Sequence, residues 1–336
     1  MVPADLRSEP SHAAPNAAGG RYPIIDAVRG GALLAMASYH SLWDVGYLRL
    51  TAENYALTPT GHRAAEAIAG TFLTLVGIGL VLMNGRGIRL RPTLMRLARI
   101  GGAALLVTIG TWFAFPDSYV FFGILHCIAV SSVLGLPFLF LPVPVTALAA
   151  AAIFAAPVLV HAPVLDAPVL YFLGLGAGTP RTNDYVPLFP WFGFVVTGIL
   201  VGRLGLPWLA RSRLGAWAPR SALGRVAAFA GRHSLVVYLV HQPVLLALFT
   251  GLVALTGPNP RAGVRAFRAD YVTICTRTGG EPPLCRIAAR CTSDALIQED
   301  LFREDGRPFS PQERLRAQAV SQGCYGAIEA ASRAPR

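Results

Sequence analysis

The chain is 336 residues long, and 54% of them are hydrophobic while 14% are charged, against roughly 25% charged in an ordinary soluble globular domain. That balance excludes a water-soluble enzyme or binding module as the starting expectation and points to the membrane class. The net charge of +11 is carried by arginine without a single lysine. Most of the surplus lies in loops between apolar runs, where it works as a topology signal, so a nucleic-acid partner is not expected.

Met1–Gly20 is polar and rich in small residues, with no apolar core of the kind a secretory signal needs. Residues 1–20 therefore read as a disordered cytoplasmic N-terminus, and the first apolar helix is expected to stay in the mature protein. Apolar runs able to cross about 30 Å of hydrocarbon lie near residues 24–48, 64–84, 97–115, 119–141, 143–160, 187–206 and 232–256. They predict an all-α polytopic bundle of about seven transmembrane helices over residues 21–256. Pro142 and Pro144 mark the turn between the fourth and fifth spans, because proline ends helices.

Arginine placement sets the orientation. The connection after the second span carries Arg86, Arg89, Arg91, Arg96 and Arg99, and the one after the sixth carries Arg203, Arg211, Arg213, Arg220 and Arg225, with no acid in either. Both are expected to be cytoplasmic. The loops with Asp117, and with Asp166, Arg181 and Asp184, fall on the other side. One topology satisfies all of them: N-terminus inside, C-terminus outside.

Residues 257–336 are polar and hold Cys275, Cys285, Cys291 and Cys324. In an oxidising compartment four cysteines read as two disulfides, with three connectivities open. Zinc is the competing reading. The segment contains neither a C-x-x-C pair nor a histidine, which argues against metal. Ser310-Pro311-Gln312-Glu313 fits a capping box with proline at the first helical position and predicts a helix over 311–331. The whole segment reads as a small, stapled helical appendage outside the membrane. Cys127, inside the fourth span, reads as an inert packed thiol.

Ionisable groups inside spanning helices are costly, so each is a functional hypothesis. The first span carries Asp26, Arg29, His40 and Asp44. Arg29 and His40 are eleven positions apart, which puts them on one face, about 16 Å apart along a helix axis. His40 and Asp44, at i and i+4, stack on that face. A cation near the cytoplasmic end can hold phosphate or carbonyl oxygens, and an imidazole beyond it can take a proton from an acceptor hydroxyl or amine. That combination suits acyl transfer across a bilayer. The plain alternatives are an arginine that snorkels to the interface and a histidine that bonds a neighbouring helix. The seventh span places Ser234, Tyr238 and His241 on one face with Gln242 beside them, and His126 lies at similar depth in the fourth. No two of the three histidines share a helix at ligand spacing, so zinc is not expected there. Trp191, in the Pro187–Gly193 opening of the sixth span, is either an interfacial anchor or an aromatic platform for a sugar.

Asp26-Ala27-Val28-Arg29-Gly30-Gly31 followed by His40 resembles the opening of the type 3 transmembrane acyltransferases. With Gly123-Ile124-Leu125-His126, Pro187–Gly193, Gly231-Arg232-His233-Ser234-Leu235 and Tyr238-Leu239-Val240-His241-Gln242-Pro243, residues 21–250 resemble bacterial relatives of the heparan-alpha-glucosaminide N-acetyltransferase catalytic domain. The resemblance implies acyl-CoA, usually acetyl-CoA, bound from the cytoplasm; the ligand spacings above already argue against a metal. It also implies a bacterial inner-membrane location and a glycan or glycolipid acceptor outside. The type 3 pattern makes His40 the base, supported by Asp44; the lysosomal pattern places the base in the loop after the first helix, where His62 is the only histidine. On this reading Arg29, Arg86 and Arg89 meet the donor phosphates, and His126, Trp191, Tyr238, His241 and Gln242 place the acyl carbonyl or the acceptor. A transporter lined by the same residues is the rival from another class, although no internal repeat is visible. A scaffold without catalysis is the third reading.

Overall fold

The computed structural model describes residues 22–160, 162–302 and 309–333; the expected N-terminal segment, residues 1–20, lies outside them. The described residues are helical, with no strand among them. The helices are α1 (Pro23–Tyr47), α2 (Pro59–Asn84), α3 (Leu90–Ala114), α4 (Ile124–Leu134), α5 (Val143–Leu159) and α6 (Leu188–Arg211). They continue with α7 (Ala222–Arg232), α8 (Ser234–Thr256), α9 (Val264–Arg277), α10 (Pro282–Gln298) and α11 (Pro311–Arg333).

Among the described residues α2, α3, α6 and α8 are long and apolar enough to cross a bilayer. The expected fourth span is much shorter than predicted. Ile124–Leu134 is helical, whereas Pro137–Leu139 forms a 3-10 turn after Gly135, because glycine and proline weaken and end the helix where hydropathy alone continues it. The fifth run also gives a short helix, 17 residues long. α1 has the length of a span but carries Asp26, Arg29 and Asp44 along it. α7 was not anticipated; Ser221 opens it by accepting from the Gly224 N–H, a side-chain N-cap.

Two compact units divide the described chain. One takes in the chain up to Met36 and Ala65–Val240; the other takes in Ala37–Ala64 and the chain from His241 onward. In the first unit Leu73 and Leu80 of α2 meet Phe192, Val195, Val196 and Ile199 of α6 and Cys127 of α4 in a closed apolar core. Cys127 is fully buried, as a packed thiol should be.

The second unit holds the tail helices. Cys285, Ala288, Ala289, Thr292 and Leu296 are buried along one stripe of α10, the spacing of an amphipathic helix. Of the three connectivities, the structure takes Cys275–Cys285, joining α9 to α10, and Cys291–Cys324, joining α10 to α11. The predicted capping box opens α11: Glu313 N–H donates to Ser310 Oγ at 3.2 Å and Ser310 N–H donates to Glu313 Oε2 at 2.9 Å.

Candidate active site

In the first unit a cavity of about 1660 Å³ is lined by Arg29, Arg86, Arg89, Arg96 and Arg203, with Asp26 as its acid. This exceeds the roughly 300–1,000 Å³ of an ordinary small-molecule pocket. Five guanidinium groups against one carboxylate give its lining a strong excess of positive charge, and arginine is a side chain that can grip phosphate oxygens in pairs. Phe72, Leu125, Ile128 and Leu139 supply apolar wall. The three arginines expected to meet the donor thus line one space. Arg96 and Arg203, read from sequence only as orientation signals, line it too.

The Arg29-Gly30 and Gly231-Arg232 motifs have a packing reason. A Cβ on Gly30 would collide with the backbone carbonyl of Ala227 in α7, and one on Gly231 would collide with that of Asp26. Glycine at both positions lets the start of α1 and the end of α7 meet backbone to backbone. Arg29 sits at that crossing: its Nη1 is 3.1 Å from Asp26 Oδ1 and donates to the Gly231 carbonyl at 3.3 Å. Arg203 donates to the carbonyls of Phe138 and Leu141, anchoring α6 to the turn between α4 and α5.

His126 is engaged on both ring nitrogens. Gly123 N–H donates to Nδ1 at 3.3 Å, which leaves the proton on Nε2, 3.2 Å from Thr108 Oγ1. The ring therefore ties α3 to the start of α4. Beside it Asp184, a residue that looked like an ordinary loop charge, accepts from the Ile124 N–H at 2.9 Å and caps α4 from a distant loop. A side chain on Gly123 would occupy the place of that carboxylate. Burial raises the Asp184 pKa, and the Ile124 N–H partly opposes the rise. Asp184→Ala, which strands that N–H, should destabilise the protein by about 1–3 kcal/mol. Asp184→Asn, which keeps an acceptor and removes the buried charge, should cost much less. Because the native state holds this proton more tightly than the unfolded chain does, acidification should stabilise the wild type relative to the Asn variant. Thermal unfolding of the three proteins across pH checks both signs.

Trp191 is half-buried and stacks on Phe194, ring centroids 5.6 Å apart, as part of the α6 packing. Tyr238 lines the arginine cavity.

In the second unit the His40 and His241 rings meet edge to face, centroids 5.0 Å apart. Tyr39 flanks His40 at 5.8 Å. Asp44 is fully buried, and its Oδ1 accepts from Gln242 Nε2 at 2.7 Å. Its Oδ2 is enclosed with no hydrogen-bond partner among the described residues. The carboxylate one turn from His40 is thus held by the residue next to His241. The result is a four-residue cluster in which the Asp44–Gln242 bond fixes α1 against α8 and so fixes the two imidazoles. His62 is exposed on the first turn of α2.

Among the described residues, four helices long and apolar enough to cross a bilayer, a guanidinium-lined cavity in the first unit and a pair of imidazoles in the second are features that fit a multi-pass membrane protein. Residues 21–243 match the heparan-alpha-glucosaminide N-acetyltransferase catalytic family, and the chain belongs to that family, one of membrane acetyltransferases. Comparison with curated proteins and with solved structures finds no match.

Proposed function

We propose that the protein moves an acetyl group from cytoplasmic acetyl-CoA, or a related acyl-CoA, to a hydroxyl or amine of an extracytoplasmic glycan or glycolipid. The observation that carries this reading is the cavity lined by Arg29, Arg86, Arg89, Arg96 and Arg203. Coenzyme A brings a diphosphate and a ribose phosphate, and a polyarginine wall with apolar patches suits both those groups and the pantetheine arm. His40 serves as general base toward the acceptor, His241 and Gln242 hold that base in place, and His62 is the alternative base. His126 stays with its structural partners, and Trp191 offers an aromatic face to a sugar ring.

The chain is read as crossing a bacterial inner membrane about seven times: α2, α3, α6 and α8 supply four spans, and α1, α4 extended by the 3-10 turn Pro137–Leu139, and α5 supply the rest. The acid-free arginine connections before α3 and after α6 lie inside, and residues 257–336 lie outside with their disulfides. Radiolabelled acetyl-CoA offered to inverted membrane vesicles tests the reading. Release of free coenzyme A with label passing to a membrane glycan or glycolipid is expected, and no turnover above vesicles lacking the protein would overturn it. A transporter moves a solute but leaves acetyl-CoA intact, so the same assay separates the two classes.

A further inference from the structure

Residues beyond 243 lie outside the family match, yet the tail is bonded to the connection that follows His40 and Asp44. Asn259 N–H donates to the Arg49 carbonyl at 2.8 Å and Gly263 N–H to the Ala52 carbonyl at 3.2 Å. Arg265, in the first turn of α9, grips both carboxylate oxygens of Glu53 at 2.8 and 2.7 Å. Arg49 itself sits at φ +59°, a left-handed conformation that a residue with a Cβ adopts only when its surroundings impose it.

The connection passes this restraint on to α1. Asn54 Nδ2 donates to the Trp43 carbonyl at 3.4 Å, and the Tyr39 hydroxyl donates to the carbonyl of Ala56 at 3.4 Å, with Ala56 fully buried. Trp43 precedes Asp44 and Tyr39 precedes His40, so the contacts end on the turn of α1 that carries both. Two disulfides stiffen the other end of the chain of contacts, because they tie α9 to α10 and α10 to α11.

We infer that the disulfide-stapled tail is a working part of the acceptor side of this enzyme, with Glu53 and Arg265 as positioning residues that hold the His40–Asp44 turn of α1. The inference rests on the acetyltransfer reading for its acceptor role and on the bonds above for its bracing role. Unlike a passive appendage, a brace of this kind affects how the acceptor meets the base while leaving the arginine cavity to the donor.

Amide hydrogen exchange over residues 48–57 reads the brace directly, in the full chain, and acetyl transfer to glucosamine reads its consequence. Arg265→Glu sets two carboxylates against each other, and exchange in that peptide should accelerate about threefold to tenfold. The KM for glucosamine should rise by a similar factor with the KM for acetyl-CoA unchanged. Adding Glu53→Arg restores the opposite charges in reverse and should return both readouts to wild type. Reduction of the two disulfides in the wild type, measured beside it, should accelerate the same peptide. Unchanged exchange in both the variant and the reduced protein overturns the brace. Faster exchange with an unchanged glucosamine KM overturns the positioning role. Absence of acetyl-CoA turnover in the wild type instead overturns the functional reading and the acceptor role with it, while the exchange data still decide the brace.

Discussion

Replacing His40 by alanine should lower acetyl transfer roughly 10²- to 10⁴-fold, the range expected when a positioned acid–base group is lost, while leaving the protein folded and able to bind acetyl-CoA. A hydroxyl attacks a thioester poorly until its proton has an acceptor, and imidazole is the side chain whose ordinary pKa lies nearest neutral pH. On the proposed reading His40 is that proton acceptor, carried on a turn of α1 that the Gln242–Asp44 hydrogen bond holds in place. The ring of His241 packs against its edge, which limits the rotamers His40 can take. Asp44→Asn and Gln242→Leu should therefore cost less than His40→Ala, because each loosens the base without removing it. His62→Ala is the decisive comparison. His62 is exposed on the first turn of α2, and its loss should leave turnover within a few-fold of wild type. Abolished transfer in His62→Ala with activity retained in His40→Ala would move the base to His62. Steady-state rates with acetyl-CoA at saturation, set beside donor binding measured separately, distinguish lost chemistry from lost fold.

The helices were legible wherever an apolar run ended at a clear break. α6 begins after Pro187 and α2 ends at Asn84 because the sequence changes character there. The fourth run misled because hydropathy does not register that Gly135 and Pro137 end a helix inside apolar sequence. α7 was hidden in a basic connection, and its short amphipathic turns look like loop when only long apolar runs are counted. In the tail, four cysteines limited the pairing to three choices but could not select one. The selection comes from α10, whose buried stripe brings Cys285 toward α9 while Cys291 reaches α11.

The candidate site was legible as a residue inventory and much less so as a set of contacts. His40 and Asp44 share a face of α1, which suggested a carboxylate orienting an imidazole. The structure gives the carboxylate to Gln242, a tertiary partner 198 residues away that no helical spacing reports. Asp184 was invisible for the same reason: only folding brings its loop over the start of α4. Arg96 and Arg203 were masked because each already reads as a topology signal in the sequence, and an arginine that suits the charge bias expected of a connection shows no excess to be explained. Their second property, lining the cavity with Arg29, Arg86 and Arg89, depends on how α3 and α6 are packed.

Arg29→Ala should raise the KM for acetyl-CoA by about 10- to 100-fold, the effect of one lost hydrogen-bonded charge contact worth about 1.5–3 kcal/mol, with a smaller change in kcat. Two roles compete at this residue. Its Nη1 contacts Asp26 and the carbonyl of Gly231 at the crossing of α1 with α7, a packing role that would show as lost stability. It also lines the arginine cavity, a binding role that would show as lost donor affinity. The two are separable because they respond differently to lysine. Lys carries the charge without the planar fork, so Arg29→Lys should recover a substantial part of the donor affinity through its ammonium while still losing the geometry of the α7 contact. The charged contacts to buried Asp26 and to the Gly231 carbonyl are together worth about 1.5–3 kcal/mol, so the unfolding temperature should fall in Arg29→Ala, and Arg29→Lys, which keeps the charge beside Asp26, is the variant whose KM is read at near-normal stability. A large drop in unfolding temperature with an unchanged KM in the surviving protein would leave Arg29 as a helix-crossing residue. A raised KM that Arg29→Lys partly reverses, at near-normal stability, assigns the guanidinium to the phosphates of the donor.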